Sequence, residues 1–240
     1  MYRWINACVL VILVAGSAGA ASAAEVKLEV VRDGKTTVTQ DGQTVWQMRT
    51  MLFTPDWKGQ KEVKPEADYP KKTEGKTEFR CALVPQGQDG VVNVTLTVSV
   101  QKNTAEFHYV FDVPKALTLN ALSVSTRMPV DLVSGKMLKL GGMDVELPAV
   151  HTQGVKSLFR GNFERATYPI PDLEIQLTTE PETFCRVQDQ REWGGSDYEL
   201  RIELLTDLQN QGIAAGAKYE KKITVRIPGL TESIIGKVGP

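Results

Sequence analysis

The chain has 240 residues, with 28 Lys and Arg against 29 Asp and Glu, and 42% of its residues are hydrophobic. A surface this close to neutral argues against nucleic acid or an anionic membrane as the main partner. The length suits one large all-β domain preceded by a leader.

The leader is residues 1–24. "MYRWINAC" carries Arg3 as a single positive charge, "VLVILVAGSAGA" is a short apolar run, and "ASAA" spaces Ala21 and Ala23 as a cleavage site. This three-part pattern is that of a secretory signal peptide. The run is too short and too rich in small residues to span a membrane. Cys8 falls inside it, upstream of the cleavage site. Export to the periplasm or the outside follows as the expectation. Without Arg3, 27 of the 28 basic residues remain, and no later stretch reaches transmembrane length.

From residue 25 onward, apolar residues alternate with polar ones and helical periodicity is almost absent. Asp33-Gly34 and Asp41-Gly42 are hairpin dipeptides. "QTVWQMRTMLF" holds Trp46 at a core or sheet-face position. Residues 54–76 form a long polar stretch with Trp57 and Tyr69, of the size that is usually functional or disordered. In "TEFRCALV" Cys81 shares a face with Phe79 and Leu83. "VVNVTLTVSV" sets Val92, Val94, Leu96, Val98 and Val100 on one face, and "AEFHYVFDV" aligns Phe107, Tyr109 and Phe111 opposite His108.

Gly141-Gly142 joins "KMLKL" to "MDVEL" as a hairpin. Residues 148–171, with His151, Arg160 and Arg165, show no clean period. "TFCRVQ" and "YELRIELL" flank "DQREWGGSD", which puts Trp193 at a hairpin end. In the second of these strands Tyr198, Leu200, Ile202 and Leu204 oppose Glu199, Arg201 and Glu203. "KKITVRI" is a further strand, and residues 228–240 read as a tail or linker. One oily and one polar face per strand is the signature of antiparallel sheets. About thirteen strands over 25–227 predict an antiparallel two-sheet β-sandwich, with a supersandwich as the variant form.

Motifs for nucleophilic, zinc-dependent, phosphate-cradling or calcium-binding chemistry are missing. The sequence therefore points to no cofactor and no metal. His108 reads as a satisfied sheet-surface residue, whereas His151, in a loop, is a candidate for function. A sugar offers an apolar face for an aromatic ring and hydroxyls for polar groups. Trp57, Tyr69 and Trp193 are the candidate platforms, with Asp189, Gln190, Arg191 and Glu192 beside Trp193. The same acids suit an exposed hairpin, and the Trp193 ring could instead fold back as a lid, a direction that "EWGG" favours. Cys81 and Cys185 remain after the leader. In an exported protein they predict a disulfide, worth about 4–5 kcal/mol for a loop of roughly 100 residues; two buried free thiols are the alternative.

"AEFHYVFDVPKALTLNALSVSTRMPVDLVSGKMLKLGGMDVELP" and "VQDQREWGGSDYELRIEL" resemble a non-catalytic β-sandwich module of secreted bacterial glycoside hydrolases and polysaccharide-processing proteins, over residues 105–206. The resemblance implies an accessory module that binds a polysaccharide or oligosaccharide. A galactose-mutarotase-like supersandwich is related, and implies a His and a Glu at a sheet face, for which only His108 or His151 could serve. A carbohydrate-active enzyme and a structural envelope protein are the alternatives.

Overall fold

A computed structural model describes residues 24–205 and 211–237; the leader up to Ala23, with Arg3 and Cys8, lies outside them. The N-terminal strands are β1 (Val26–Val31), β2 (Thr36–Gln40) and β3 (Gln43–Phe53), followed by β4 (Glu62–Pro65), β5 (Lys71–Thr73) and β6 (Lys76–Val84). β7 (Val92–Gln101), β8 (Thr104–Val113), β9 (Leu117–Leu119) and β10 (Ala121–Pro129) come next, then the hairpin β11 (Met137–Leu140) and β12 (Met143–Glu146). The long pair β13 (Phe159–Ile170) and β14 (Leu173–Asp189) leads to β15 (Asp197–Glu203), β16 (Gln211–Ile213), β17 (Ala217–Arg226) and β18 (Leu230–Lys237).

The period-two reading holds where it was sharpest. Val92, Val94, Leu96 and Val98 are buried on β7, as are Phe107, Tyr109 and Phe111 on β8. Asp41 and Gly42 both have positive φ, the pair a tight type I′ turn needs. The Gly141-Gly142 hairpin pairs Leu138 with Val145 and Leu140 with Met143. The two irregular stretches are partly strand: β4 and β5 lie inside 54–76, and β13 fills the second half of 148–171.

The sandwich expectation needs correction. Among the described residues sixteen strands form one continuous sheet, ordered β18-β1-β2-β3-β10-β15-β14-β17-β8-β7-β6-β4 along its main path, with β9 and β16 as a separate pair. The sheet is mixed, because β1 runs parallel to β18. Right-handed twist accumulates over so many strands until the sheet curls, and β18 at one edge reaches β6 near the other. The inside of this half-barrel is a single core containing Trp46, Tyr109, Tyr168 and Tyr198. Alternation reports that each strand has one oily face; it is silent on whether the sheet splits or curls. Residues 230–237, read as a tail or linker, are an edge strand of the sheet because β1 offers them an open ladder.

The disulfide is also absent. Cys81 and Cys185 are buried and unbonded. They occupy β6 and β14, which are four strand spacings of about 4.8 Å apart along the sheet. A disulfide needs Cα atoms within about 7 Å. Burial pushes both thiols up to about 12, so neither is a thiolate near neutral pH. Among the described residues no helix is long and apolar enough to cross a membrane, and no cluster of His, Cys, Asp and Glu could hold a metal ion.

Candidate ligand-binding cleft

β3, β10, β15, β14 and β13 are consecutive neighbours. Their register sets one row across five strands: Arg49 opposite Ser125, Ser125 opposite Arg201, Arg201 opposite Arg186, and Arg186 opposite Arg160. The parity of each strand decides the face. Met48 and Leu52, Leu200 and Ile202, Cys185 and Val187 go to the core, so the residues between them point away from it. Arg127, Glu199 and Gln188 make the adjacent row.

This face is the floor of a cleft of about 650 Å³, lined by Met51, Phe53, Arg127, Arg186 and Arg201 with Lys156 and Arg160 at its side. Trp57 and Trp193 line it too, and each keeps about half of its surface exposed, at 52% and 53%. Trp57 follows β3 and packs on Phe53 with ring centroids 5.9 Å apart. Trp193 follows β14. Since β3 runs antiparallel to β14 across this part of the sheet, the two indoles stand towards opposite ends of the strands.

The turn that carries Trp193 is built by "DQREWGG". Residues Gln190–Trp193 form a 3-10 turn whose N-cap is Asp189, accepting from the Arg191 backbone at 3.0 Å. Gly194 closes it at φ 78°, and a Cβ at Gly195 would lie 2.9 Å from the Gln190 Cβ. Both glycines are therefore required by the turn. The lid reading is overturned: the ring is held out at the cleft.

The acids near Trp193 do a structural job. Asp189 is buried and receives the Arg191 Nε at 2.9 Å, with His151 Nδ1 at 3.5 Å. Arg191 also donates to the carbonyls of Ala149 and Pro148. Glu192 meets His151 Nε2 at 3.2 Å and accepts from the Gly154 backbone. Together they clasp the 148–154 loop to the turn. Burial works to raise the Asp189 carboxyl, but the side-chain and backbone hydrogen bonds from Arg191 outweigh it and hold it below the ordinary carboxylate range. A depressed carboxylate stabilises above its unfolded value near 3.9 and loses that stabilisation as pH falls through the folded value. Asp189→Asn should cost about 1–3 kcal/mol at pH 7. The gap to wild type should narrow in urea unfolding as pH falls below the unfolded carboxylate value of about 3.9, and a gap independent of pH in that acid range would exclude this origin.

Several sequence candidates lie elsewhere. Tyr69 is buried between Lys71 and Arg80, outside the cleft. His151, Asp189 and Glu192 belong to the clasp and do not line the cleft. His108 bonds Glu220 at 2.7 Å on the outer face of β8, as a sheet-surface histidine should.

The floor itself escaped the sequence reading. Alternation placed Glu199, Arg201 and Glu203 on a wet face, yet they are only 0%, 6% and 3% exposed. Arg201 Nη2 meets Glu199 at 2.8 Å and its guanidinium lies 4.6 Å from the Phe53 ring centroid. Glu199 also accepts from Gln190 at 2.7 Å and from the Ser125 hydroxyl. Glu203 lies 2.6 Å from Arg186 Nε. Burial raises the Glu203 carboxyl above its usual range despite Arg186 and Arg201, while burial and then Arg127 lower the Arg49 guanidinium. The available signal was one arginine at the polar parity of "MRT", "STRM", "FRG", "CRV" and "LRI".

No protein-family model and no curated protein matches the sequence. Among solved structures the chain is similar to a putative aldose 1-epimerase from Escherichia coli K12, at 9% identity and TM-score 0.46 over 85% of this chain and 98% of that one. It is similar to a galactose mutarotase-like protein from Lactobacillus casei, at 11% identity and TM-score 0.46 over 85% and 100%. A third is the α-N-acetylgalactosaminidase NagBb from Bifidobacterium bifidum, at 11% identity and TM-score 0.46 over 83% of this chain and 34% of that one. Likeness at this level decides neither family nor chemistry, so the cleft has to be read from its own residues.

Proposed function

We propose that this protein is an exported carbohydrate-binding module of a polysaccharide-processing system, and that its ligand lies in the cleft between Trp57 and Trp193. One observation carries the reading: two half-exposed indoles line one cleft over a polar floor. Apolar faces of sugar rings would stack on the indoles while Gln190, Ser157 and the guanidiniums take hydroxyls. The backbone supports the reading as well. Trp57 sits at φ 57°, a left-handed conformation that is an outlier for a bulky residue and costs about 1–3 kcal/mol. A ring held wet at that cost is better explained by a ligand than by packing.

Affinity electrophoresis of the full chain through gels containing single polysaccharides tests it. At least one polymer should retard the protein, and retardation by none of a broad panel would end the proposal.

A second reading, turnover of the bound sugar, draws on Glu203. Its carboxyl is raised by burial and lies 2.6 Å from Arg186 of the cleft; it does not line the cleft itself, so its proton would have to reach the sugar through the Arg186 layer. Release of new reducing ends, or faster anomer exchange of a free sugar, lost in Glu203→Gln, would favour it. A retained glycan that stays chemically unchanged leaves binding alone.

A further inference from the structure

Resting on the cleft as a carbohydrate site, we infer that its glycan is acidic, carrying carboxylate or sulfate groups that the arginine row engages. Among the described residues five cations line the cleft, Arg127, Lys156, Arg160, Arg186 and Arg201, and no carboxylate does. Three carboxylates approach these cations within 4 Å: Asp197 and Glu199 at Arg127, Glu199 at Arg201, and Glu203 at Arg186. Five against three leaves two positive charges unbalanced. Arg160 and Lys156 are the exposed ones, and no salt bridge joins either to a carboxylate among the described residues.

The register makes this more than a basic surface. Arg160, Arg186 and Arg201 lie directly opposite one another on three adjacent strands, where like charges are destabilising. A neutral ligand would give no return for that repulsion; an anion over the row relieves it. Arg201, 6% exposed, keeps a buried Nε without a partner, and Gln188, 8% exposed, keeps an unpaired Oε1. The floor is thus fixed by packing but short of internal partners. Planar guanidiniums in a fixed row match carboxylate and sulfate oxygens in forked pairs, while the indoles at the two ends leave room for a sugar backbone between them. A chain of uronic acids or of sulfated sugars has both parts.

The test compares polygalacturonate and dextran sulfate with neutral galactan and dextran, using the full chain at about 0.15 M salt, the screening regime of physiological solution. An acidic polymer should bind at least about tenfold tighter than its neutral counterpart, with affinity falling as salt rises. Which acidic polymer binds separates carboxylate from sulfate. The variant Lys156→Glu with Arg160→Glu, both exposed, should lose about tenfold or more of that affinity with an unchanged melting temperature. Equal binding of acidic and neutral polymers would overturn the inference and leave the carbohydrate reading standing. Binding of inorganic sulfate with no glycan retained would overturn both.

Discussion

Replacing Trp57 and Trp193 together by alanine should lower glycan affinity by about a thousandfold, with each ring contributing about 2 kcal/mol, the size expected of an aromatic anchor at a binding site. The alanine pair should lose only the modest stability that the Trp57–Phe53 contact supplies. Trp193 is half exposed on its turn, so truncating it removes little buried surface. Trp57 presents two opposing effects. Losing its contact with Phe53 costs about 0.5–1.5 kcal/mol, whereas glycine in its place releases the positive φ, worth about 1 kcal/mol after the entropy of glycine is set against it. Trp57→Gly should therefore leave urea stability within about 1 kcal/mol of wild type while binding collapses. A glycan affinity unchanged in both Trp variants, with the fold intact, would remove the indoles from the site.

Arg201→Met should cost about 3–5 kcal/mol in urea unfolding at pH 7, because it strands a buried carboxylate. Glu199 is fully buried and its remaining cation, Arg127, is 3.8 Å away. One effect runs the other way: removing Arg201 relieves its repulsion with Arg186 directly opposite. That relief is about 0.2–1 kcal/mol for a cross-strand pair, too little to offset the orphaned charge. The double variant Arg201→Met with Glu199→Gln should recover most of the loss, since a buried pair removed as a unit is close to neutral. If the single variant lost less than about 1 kcal/mol, the floor would not be the tightly paired network its distances describe.

These two sets of residues differ in how far the sequence exposes them. Trp193 was visible because a large ring stood beside two glycines between two alternating runs. Trp57 was visible because it interrupted a polar stretch. Neither feature gave the direction of the ring, and the Gly-Gly pair favoured the wrong one; the direction depends on the local Asp189 cap and on the Arg191 fork and the 148–154 loop, whose contacts span 38 or more residues. Tyr69 shared the same sequence profile and is buried by Lys71 and Arg80, so an aromatic in a loop is a weak guide to exposure.

The sequence by itself determined the all-β class, the face each strand turns to the core and the places of most hairpins. Those properties are local: period two and positive-φ dipeptides act over a few residues. Only the tertiary structure decided that sixteen strands of the described residues curl as one sheet, that Cys81 and Cys185 stay apart, and that four arginines and Lys156 from distant segments meet in one cleft beside Arg49. Polar parity says that Arg49, Arg127, Arg160, Arg186 and Arg201 avoid the core. Strand order and register decide that they avoid it together, through pairings between distant segments such as Arg49 with Ser125 and Ser125 with Arg201.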